Sequence, residues 1–515
     1  MKRRDFLKAS VPATVLPFML GGLSIKAFGR NPLLDQLTAN CNGNVLVVIQ
    51  LSGGNDGLNT VIPFDQYPAL MNARSNIVIP QSSALALTSS LGLNPQMTGM
   101  QSMFKNGQLA IVQSVGYPTP NFSHFRSTDI WLTGSDSYQT LVSGWMGRFL
   151  DQEYPGYPTG YPSVAMPDPL AVQIGSSVTT GLEGPNANMG IAFSSASAFY
   201  DIVDSKVPAA PNTRYGQELT YIRQVGQQLE NFSAPVKNAS AKGTTKSKLW
   251  PSAKTSPLAD QLKIVASMIA GGLKTPLYVV NLTGFDTHSG QRAAQDLLLG
   301  QLSTAIQAFQ DELTLNAAQD RVLGMTFSEF GRRILSNSSG GTDHGAAAPL
   351  FVFGSQVKGG ILGKNPTLPL NATVDDNVDM QYDFRSVYAS IIKEWFCADD
   401  TVVAATLGQT FPILPLVQGS SAVADPNIPV NFALYQNYPN PFNPSTKIVF
   451  TSPEGHVSLK VFDIEGREVR TLVDRQLQAG EHDILFDASG LGSGTYLYKL
   501  RAGTAEQMKT MVLTK

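Results

Sequence analysis

The chain reads VLVVIQLSGGNDG at residues 45–57, an apolar run that ends in a glycine-rich polar cluster. A run with a single polar side chain predicts a buried strand, and the Gly and Asn residues after it predict a sharp turn at its carboxyl end. Similar apolar runs alternate with longer amphipathic segments between about residues 40 and 415. This alternation predicts that residues 40–415 form an α/β domain with a mostly parallel central sheet.

Further apolar runs are predicted strands, and several longer segments have helical periodicity. The predicted strands lie at residues 109–115, 277–282, 322–327 and 350–353. The predicted helices lie at residues 217–229, 258–270, 292–313 and 384–396. Residues 233–256 are rich in Lys, Ser, Thr and Ala, which predicts an exposed insertion without a chemical role.

The composition of the 515-residue chain excludes several classes of protein. Its 37 Lys and Arg residues nearly balance 39 Asp and Glu residues, which argues against a highly basic, a collagenous or a disordered protein. Cys41 and Cys397 are the only cysteines, so a disulfide scaffold and a thiolate zinc site are both excluded. We also expect no nucleic-acid partner, because affinity for nucleic acid rests largely on neutralising phosphates.

Residues 1–30 have the pattern of an export signal. A basic segment precedes an apolar run at residues 11–23, which contains Pro12 and Pro17 and is too short to span a bilayer. The RRDFLK stretch at residues 3–8 resembles a twin-arginine signal, whose translocase exports folded proteins. A basic amphipathic helix is the alternative. We expect no transmembrane segment in the mature chain.

The sequence pattern of the C-terminal part of the chain predicts a linker and a second domain. Residues 416–445 are rich in Pro and Asn, which favours an extended linker. Residues 446–515 contain short alternating segments bounded by Gly, Asp or Ser, which predict a small all-β sandwich. The segments are residues 447–450, 457–462, 468–473, 482–486, 496–500 and 508–513.

The segment from Phe432 to Lys515 resembles the C-terminal sorting domain of the type IX secretion system. The resemblance rests on NYPNPFNPST at residues 437–446, on the turn that begins at Gly494, and on the final lysine. It implies contact with the type IX secretion machinery, export through the periplasm, and a final place at the cell surface or in the extracellular space. An ordinary carbohydrate-binding or adhesive sandwich is the alternative.

A polar cluster lies beside each predicted core strand. Ligands of an open α/β sheet bind outside the carboxyl ends of its strands, so we expect these clusters to converge on one crevice. The clusters are SGGNDG at residues 52–57, NFSHFR at 121–126, GFDTH at 284–288, SEFGRR at 328–333 and GGTDHG at 340–345.

Three of the five histidines lie in these clusters, at His124, His288 and His344. The other two, His456 and His482, lie in predicted strands of the tail. A lone loop histidine is more often a surface residue, but three at predicted strand ends favour a common site.

Imidazole and carboxylate groups are the usual metal ligands where thiolates are absent. Asp286 and His288 project to the same side of an extended segment and can hold one ion. The adjacent side chains of Asp343 and His344 diverge, which suits ligands for two neighbouring ions. Two ions about 4 Å apart would stabilise attacking and leaving oxygens at phosphorus or sulfur. We therefore expect one or two divalent metal ions, zinc, manganese or similar.

The core, at residues 44–407, resembles the family known as domain of unknown function 1501. The motifs that carry the resemblance are LSGGNDGLN at residues 51–59, SHF at 123–125, GW at 144–145, GFDTH at 284–288, SEFGR at 328–332 and GTDHG at 341–345. Such proteins look like distant members of the alkaline phosphatase and sulfatase superfamily. This implies an alkaline-phosphatase-like α/β sandwich with a two-metal site and a nucleophile at a helix N-terminus.

The resemblance also implies a metal ligand set. Asp56 matches the carboxylate that begins the metal site of the superfamily. Asp343 and His344 match its late Asp-His pair. Asp286 and His288 take the place of the intervening ligands, with a shorter spacing than in classical phosphatases.

Other residues of the clusters have candidate catalytic or supporting roles. Ser123 lies where the superfamily places its nucleophile, His124 could assist it, and a helix starting there would offer N–H groups to an oxyanion. Arg126 and Arg332 could clamp an anionic ester or form ion pairs. Glu329 could bind a metal, accept a hydrogen bond from a metal-bound histidine, or be a favourable charge on a first helical turn.

These observations favour an exported, metal-dependent hydrolase of phosphate or sulfate esters, whose substrate is an anionic ester. A non-catalytic, surface-displayed binding or assembly protein on the same scaffold is the alternative. A serine esterase built from Ser123 and His124 fits less well, because adjacent side chains diverge and no Gly-x-Ser-x-Gly elbow occurs there. The partners expected during export are the twin-arginine translocase and the type IX secretion machinery.

Overall fold

The structure, a computed structural model, forms two compact units, Met1–Asn40 and Cys41–Lys515. In the first unit it describes two strands, Met19–Leu20 and Leu23–Ser24, which pair in antiparallel fashion. In the second unit it describes residues 41, 43–194, 232–419, 433–452, 455–477, 480–503 and 505–514. The rest of the predicted export signal and the predicted helix at residues 217–229 lie outside the described residues.

The described core strands are numbered in chain order. Their bounds are β1 Val45–Ser52, β2 Val61–Pro63, β3 Leu85–Ala86, β4 Leu91–Leu93, β5 Leu109–Gly116, β6 Ala171–Ile174, β7 Ile191–Phe193, β8 Leu277–Thr283, β9 Val322–Phe327, β10 Arg332–Ser336, β11 Thr342–His344, β12 Ala348–Phe353, β13 Gly360–Leu362 and β14 Tyr382–Asp383. The five strands predicted from the apolar runs are all present.

Nine of these strands form the central sheet, in the order β13-β5-β12-β9-β1-β8-β6-β7, with β14 also paired to β5. β1 lies between β8 and β9 and is parallel to both. Its residues from Val45 to Ile49 are buried, as expected for a central strand covered on both faces. Every strand of the sheet except β12 runs in one direction, so the prediction of a mostly parallel sheet is confirmed.

The antiparallel strand β12 brings a late segment of the chain to the functional edge of the sheet. β12 pairs in antiparallel fashion with β5 and β9, and Ala348 at its start lies opposite Val115 near the end of β5. The amino end of β12 therefore lies at the edge where its neighbours have their carboxyl ends. Residues 340–345 precede β12 and reach the same edge as the clusters that follow β1, β8 and β9.

The described helices of the core connect these strands. Their bounds are α1 Gly57–Thr60, α2 Tyr67–Arg74, α3 Thr98–Lys105, α4 His124–Thr133, α5 Trp145–Glu153, α6 232–242, α7 Pro257–Ala270, α8 Gln291–Leu315, α9 Phe384–Ser390 and α10 Asp400–Leu407. A π-helical turn, Ile391–Trp395, extends α9. α7, α8 and α9 correspond to the helices predicted there. Among the described residues, none of the helices combines the length and apolar character that crossing a membrane requires.

The predicted insertion at residues 233–256 is mostly exposed, but a few of its side chains anchor it to the core. It contains most of α6, in which Phe232 and Val236 belong to the hydrophobic core. Glu312 on α8 holds the segment that follows, because its carboxylate accepts hydrogen bonds from the backbone N–H groups of Lys246 and Ser247. The polar composition of the insertion therefore reflects an exposed face of α6 and a mostly exposed segment after it.

The C-terminal domain is an antiparallel sandwich, as predicted. One sheet has the order β15-β16-β19 and the other β18-β17-β20-β21. The strands are β15 Ala433–Leu434, β16 Ser445–Ser452, β17 Gly455–Phe462, β18 Glu468–Leu477, β19 Gly480–Asp487, β20 Gly494–Ala502 and β21 Ala505–Leu513. Leu434 and Phe442 lie in its hydrophobic core, so residues 433–445 of the expected linker belong to the sandwich.

The two cysteines form a disulfide between Cys41 and Cys397, with a sequence separation of 356 residues. We predict that replacing both cysteines with serine lowers the free energy of unfolding by about 2–5 kcal/mol, because the bridge restricts the unfolded chain. Urea unfolding of the oxidised wild type and of the variant, with and without reductant, measures this difference. Equal midpoints for oxidised wild type and variant would contradict the prediction.

Candidate metal centre

The guanidinium of Arg332, at the start of β10, is buried where three segments meet. Nε donates to the carbonyl of Gly54 at 2.8 Å, and Nη1 donates to the carbonyl of Thr342 at 2.7 Å. Nη2 donates to the carbonyl of Phe285 at 2.9 Å and to the carboxylate of Asp286 at 2.8 Å. One side chain therefore joins the loop after β1, the loop after β8 and strand β11.

The loops after β1 and β8 approach each other through their backbones. Gly53 has a φ of +122°, which side chains of L residues rarely allow, and a Cβ at this position would lie 2.2 Å from the backbone nitrogen of Asp286. The N–H of Phe285 donates to the carbonyl of Ser52 at 3.1 Å. Glycine at position 53 is thus required for Asp286 to reach its place.

The three core histidines meet at this edge of the sheet, each with its Nδ1 held by an acceptor. Nδ1 of His124 lies 2.9 Å from Oε1 of Glu329, and Nδ1 of His288 lies 3.0 Å from Oδ1 of Asp343. Nδ1 of His344 lies 2.6 Å from the carbonyl oxygen of residue 122. In neutral imidazole, a proton held on Nδ1 leaves a lone pair on Nε2, which is the tautomer of a metal-binding histidine.

The three Nε2 atoms converge on the carboxylate of Asp286. Oδ1 of Asp286 lies 3.2 Å from Nε2 of His288 and 3.3 Å from Nε2 of His344. Oδ2 of Asp286 lies 3.5 Å from Nε2 of His124. The Nε2 atoms of His288 and His344 are 3.0 Å apart.

This donor set fits a divalent metal ion. Two Nε2 lone pairs 3.0 Å apart repel each other unless a cation lies between them. Donor atoms around a tetrahedral zinc ion with bonds of about 2.1 Å lie about 3.4 Å apart, close to the separations at Asp286. One ligand atom each from His124, Asp286 and His344 lies within 4.8 Å of the others.

The ionisation of the cluster favours metal binding. Burial opposes ionisation of Asp286, but the hydrogen bond from Arg332 and the charge of Arg332 lower the pKa of its carboxyl group. Burial, with a further contribution from the Arg332 charge, lowers the pKa of His344. A neutral imidazole and an ionised carboxylate are the protonation states that metal coordination requires.

The site has a buried floor and an open side. The ring of Phe330 is buried and lies 4.4 Å from the ring of His344 and 5.0 Å from that of His124. The side chains of Asp286 and His288 are 49% and 44% exposed, so a molecule from solvent can reach them.

Glu329 is buried behind the cluster and does not begin a helix. Its Oε1 accepts from the N–H of Gly53 at 2.7 Å as well as from His124. The hydroxyl of Ser328 donates to the carbonyl of Leu51 at 2.9 Å and therefore caps no helix. The next element is strand β10, so the first-turn role considered for Glu329 is wrong.

Asp56 has different partners from the other proposed ligands. Both oxygens of its buried carboxylate accept from Nη1 of Arg74, at 2.9 and 2.7 Å, and Oδ2 also accepts from Gln291. Oδ1 caps α1 by accepting from the N–H of Leu58 at 3.2 Å. The contacts of Asp56 are those of a buried ion pair beside the site.

Of the proposed catalytic residues at the start of α4, Ser123 is accessible to a substrate and Arg126 is not. Ser123 is exposed at the N-cap of α4 and makes no capping hydrogen bond through its side chain. Arg126 does not clamp the site, because its guanidinium pairs with Asp129 and donates to the carbonyls of Asp136 and Ser137 at 3.2 Å each. Arg332 is also engaged, and its partners are protein acceptors.

Two parts of the site were not predictable from the sequence. The carbonyl of Phe122 orients His344, and the ring of Phe330 supports two imidazoles. Both residues lie within quoted polar clusters, but a backbone carbonyl carries no side-chain signal. An aromatic residue in a loop is equally expected to be ordinary core.

Two family models match parts of the chain. Residues 207–419 match the model described as "Protein of unknown function (DUF1501)", and residues 436–514 match the model described as "Secretion system C-terminal sorting domain". The predicted resemblance to the sorting domain is thereby confirmed, and the predicted resemblance to DUF1501 is confirmed over the part of the core that contains the motifs at residues 284–288, 328–332 and 341–345. No curated protein matches the chain significantly.

Several solved structures are similar in fold and distant in sequence. A Bacteroides thetaiotaomicron protein from a study of glycosaminoglycan metabolism has 10% identity and a TM-score of 0.36, over 87% of this chain and 90% of its own. A Vibrio parahaemolyticus protein of the alkaline phosphatase superfamily has 8% identity and a TM-score of 0.34, over 85% and 82%. A phosphonate monoester hydrolase from Silicibacter pomeroyi has 9% identity and a TM-score of 0.31, over 91% and 88%. The likeness extends to fold alone.

We predict that Asp56→Asn chiefly lowers stability, whereas Asp286→Asn chiefly removes bound metal. Asp56→Asn leaves the charge of Arg74 buried without its partner and should lower the free energy of unfolding by about 3–5 kcal/mol, with metal content unchanged. Asp286→Asn should remove bound metal with a smaller loss of stability. Urea unfolding and elemental analysis of both variants measure these effects, and loss of metal from folded Asp56→Asn protein would contradict the assignment.

Proposed function

For a chain that combines a DUF1501 segment with a secretion sorting domain, we propose the function of an exported, metal-dependent hydrolase of phosphate or sulfate esters. The observation that carries the proposal is the convergence of three Nε2 atoms on the carboxylate of Asp286. The sorting domain indicates export to the cell surface or the extracellular space. Passage through the twin-arginine translocase and the periplasm is part of the proposal.

His124, Asp286 and His344 would hold one divalent ion, zinc or manganese. Such an ion would supply Lewis-acid chemistry, drawing electron density from an ester oxygen. Asp343 contacts the outer nitrogen of His288, at 3.0 Å. One ion held by His124, Asp286 and His344 is proposed, with His288 beside it as a further donor whose Nε2 lies 3.0 Å from that of His344.

Three further residues of the chain would orient these ligands. Arg332 fixes Asp286 and lowers the pKa of its carboxyl group, so that the carboxylate stays ionised. Glu329 and Asp343 accept from Nδ1 of their histidines and hold each Nε2 toward Asp286. Outer partners of this kind commonly change metal affinity by about 10–100-fold.

Ser123 remains the proposed nucleophile. It is exposed beside His124, at the end of α4 where the first N–H groups of the helix have no acceptor within the helix. Attack by its hydroxyl oxygen on phosphorus or sulfur would form a serine ester while the original ester bond breaks and the alcohol leaves. Free N–H groups at this helix end would favour the negative charge that develops on the transferred group.

The alternative is a non-catalytic, surface-displayed binding or assembly protein that uses the same metal site. A specific observation favours it, because neither candidate arginine is available to an anionic ester. Arg126 is held by Asp129 and by the loop at residues 136–139, and Arg332 is buried among protein acceptors. Both hypotheses predict a bound metal ion, but only the hydrolase hypothesis predicts that the protein hydrolyses an ester.

We predict that the full-length protein, purified without chelator, contains about one equivalent of zinc or manganese. His344→Ala and Asp286→Asn should each lose the metal, because each removes one donor of the set formed by His124, Asp286 and His344. The matched control is His456→Ala in the tail, whose Nε2 lies 3.4 Å from Asp474 outside the cluster. Elemental analysis measures the content, and a wild type that binds no ion after supply of zinc or manganese would overturn the proposal.

Activity assays of the same wild-type and variant proteins distinguish the hydrolase from the non-catalytic binding protein. Hydrolysis of 4-nitrophenyl phosphate or sulfate by the wild type, lost in Asp286→Asn and retained in His456→Ala, would support the hydrolase. Bound metal without turnover of either ester would favour the binding protein.

We predict that Glu329→Gln weakens zinc binding about 10–100-fold without abolishing folding, because the carboxylate that orients His124 is lost. The control is Glu312→Gln, which alters another buried carboxylate, one on α8 that accepts from Lys246, Ser247 and Trp250 and not from a residue of the cluster. Chelator competition measures the zinc Kd of each variant. An equal Kd for Glu329→Gln and wild type would show that Glu329 does not support the metal ligand.

A further inference from the structure

Helix α4, which begins with the proposed ligand His124, is fixed on two sides. On the side of the metal centre, the hydroxyl of Ser127 donates to the carbonyl of Glu329 at 2.5 Å. It also shares a 2.6 Å hydrogen bond with the hydroxyl of Tyr117. On another side, Arg126 binds the loop that follows the helix. The first turn of α4 therefore depends on that loop as well as on the site.

The loop at residues 134–139 is held by Arg126 through three backbone carbonyls, those of residues 136, 137 and 139. The carboxylate of Asp136 is 15% exposed, and its Oδ1 pairs with Arg385 at 2.5 Å. Its Oδ2 accepts from the hydroxyl of Tyr138 at 2.9 Å. The loop thus has a defined position relative to the core, and Tyr138 lies at its outer end.

Tyr138 also contacts the C-terminal sandwich. Its hydroxyl accepts from the backbone N–H of Gln436 at 2.9 Å, and its ring stacks on that of Tyr438 with centroids 6.4 Å apart. On β21, Nζ of Lys509 donates to Gln409 of the core at 3.4 Å. A cavity of about 340 Å³ lies between the two domains and is lined in part by Asp136, Tyr138 and Gln436.

We propose that Arg126 and Tyr138 are positioning residues that couple the docked C-terminal sandwich to the orientation of His124. The route runs from Gln436 through Tyr138 to the loop, and from the loop through Arg126 to the first turn of α4. The inference rests on the proposed function, because His124 is one of the proposed metal ligands. Release of the sandwich from Tyr138 loosens α4 and weakens the metal centre.

The test uses full-length Arg126→Ala and Tyr138→Phe. The matched controls are Arg501→Ala and Tyr496→Phe, since Arg501 is exposed and both side chains donate to carbonyls of the tail. We expect amide hydrogen exchange in residues 124–133 to become faster in both test variants. We also expect the zinc Kd to rise about two- to thirtyfold and the visible spectrum of the Co²⁺-loaded protein to change.

A role in stability alone would lower the unfolding midpoint without altering the Co²⁺ spectrum, and that result would overturn the inference. The inference would also be overturned if amide hydrogen exchange in α4 were as slow in both test variants as in the wild type. If the wild type binds neither zinc nor cobalt, the proposed metal function fails, and the exchange measurement still decides the coupling. Faster exchange in α4 for Tyr138→Phe but not for Tyr496→Phe supports the coupling in that case.

Discussion

A buried guanidinium is tolerated only when its donors find acceptors, because a charge without partners in a protein interior costs several kcal/mol. Arg332 meets this requirement with carbonyls from two loops and from β11, and with the carboxylate of Asp286. None of these segments is close to the others in sequence. Satisfying one side chain therefore sets the spacing of the loops, and Asp286 is placed at the centre of the histidine cluster as a result.

The direction of one strand has a similar effect on the site. In a wholly parallel sheet, a polar cluster that precedes a strand would lie at the opposite edge from clusters that follow strands. Because β12 is antiparallel to both neighbours, residues 340–345 come to the edge formed by the ends of β1, β8 and β9. His344 can meet His288 because of this reversal.

Hydrogen bonds to the outer nitrogens decide which groups can bind a metal. Each Nδ1 has an acceptor, and each Nε2 is left facing Asp286. Asp343, adjacent to a ligand in sequence, contacts the outer side of His288, and Asp56 is paired with Arg74. Hydrogen bonds farther from the cluster would orient His124 in a similar way, since Arg126 and Tyr138 act on it only through the backbone of the loop between them.

Local sequence patterns determined much of the secondary structure of this protein and identified the histidines of the candidate site. Apolar runs located the five predicted core strands, alternation located the strands of the tail, and the small number of histidines singled out His124, His288 and His344. These features depend on side-chain type and short-range periodicity, which the sequence contains directly. Tertiary structure decided the rest: the direction of β12, the burial of Asp56 with Arg74, the diversion of Arg126 to the loop at residues 136–139, and the carbonyl behind His344. Each depends on which distant backbone groups meet a given side chain, and that is fixed only when the whole sheet has formed.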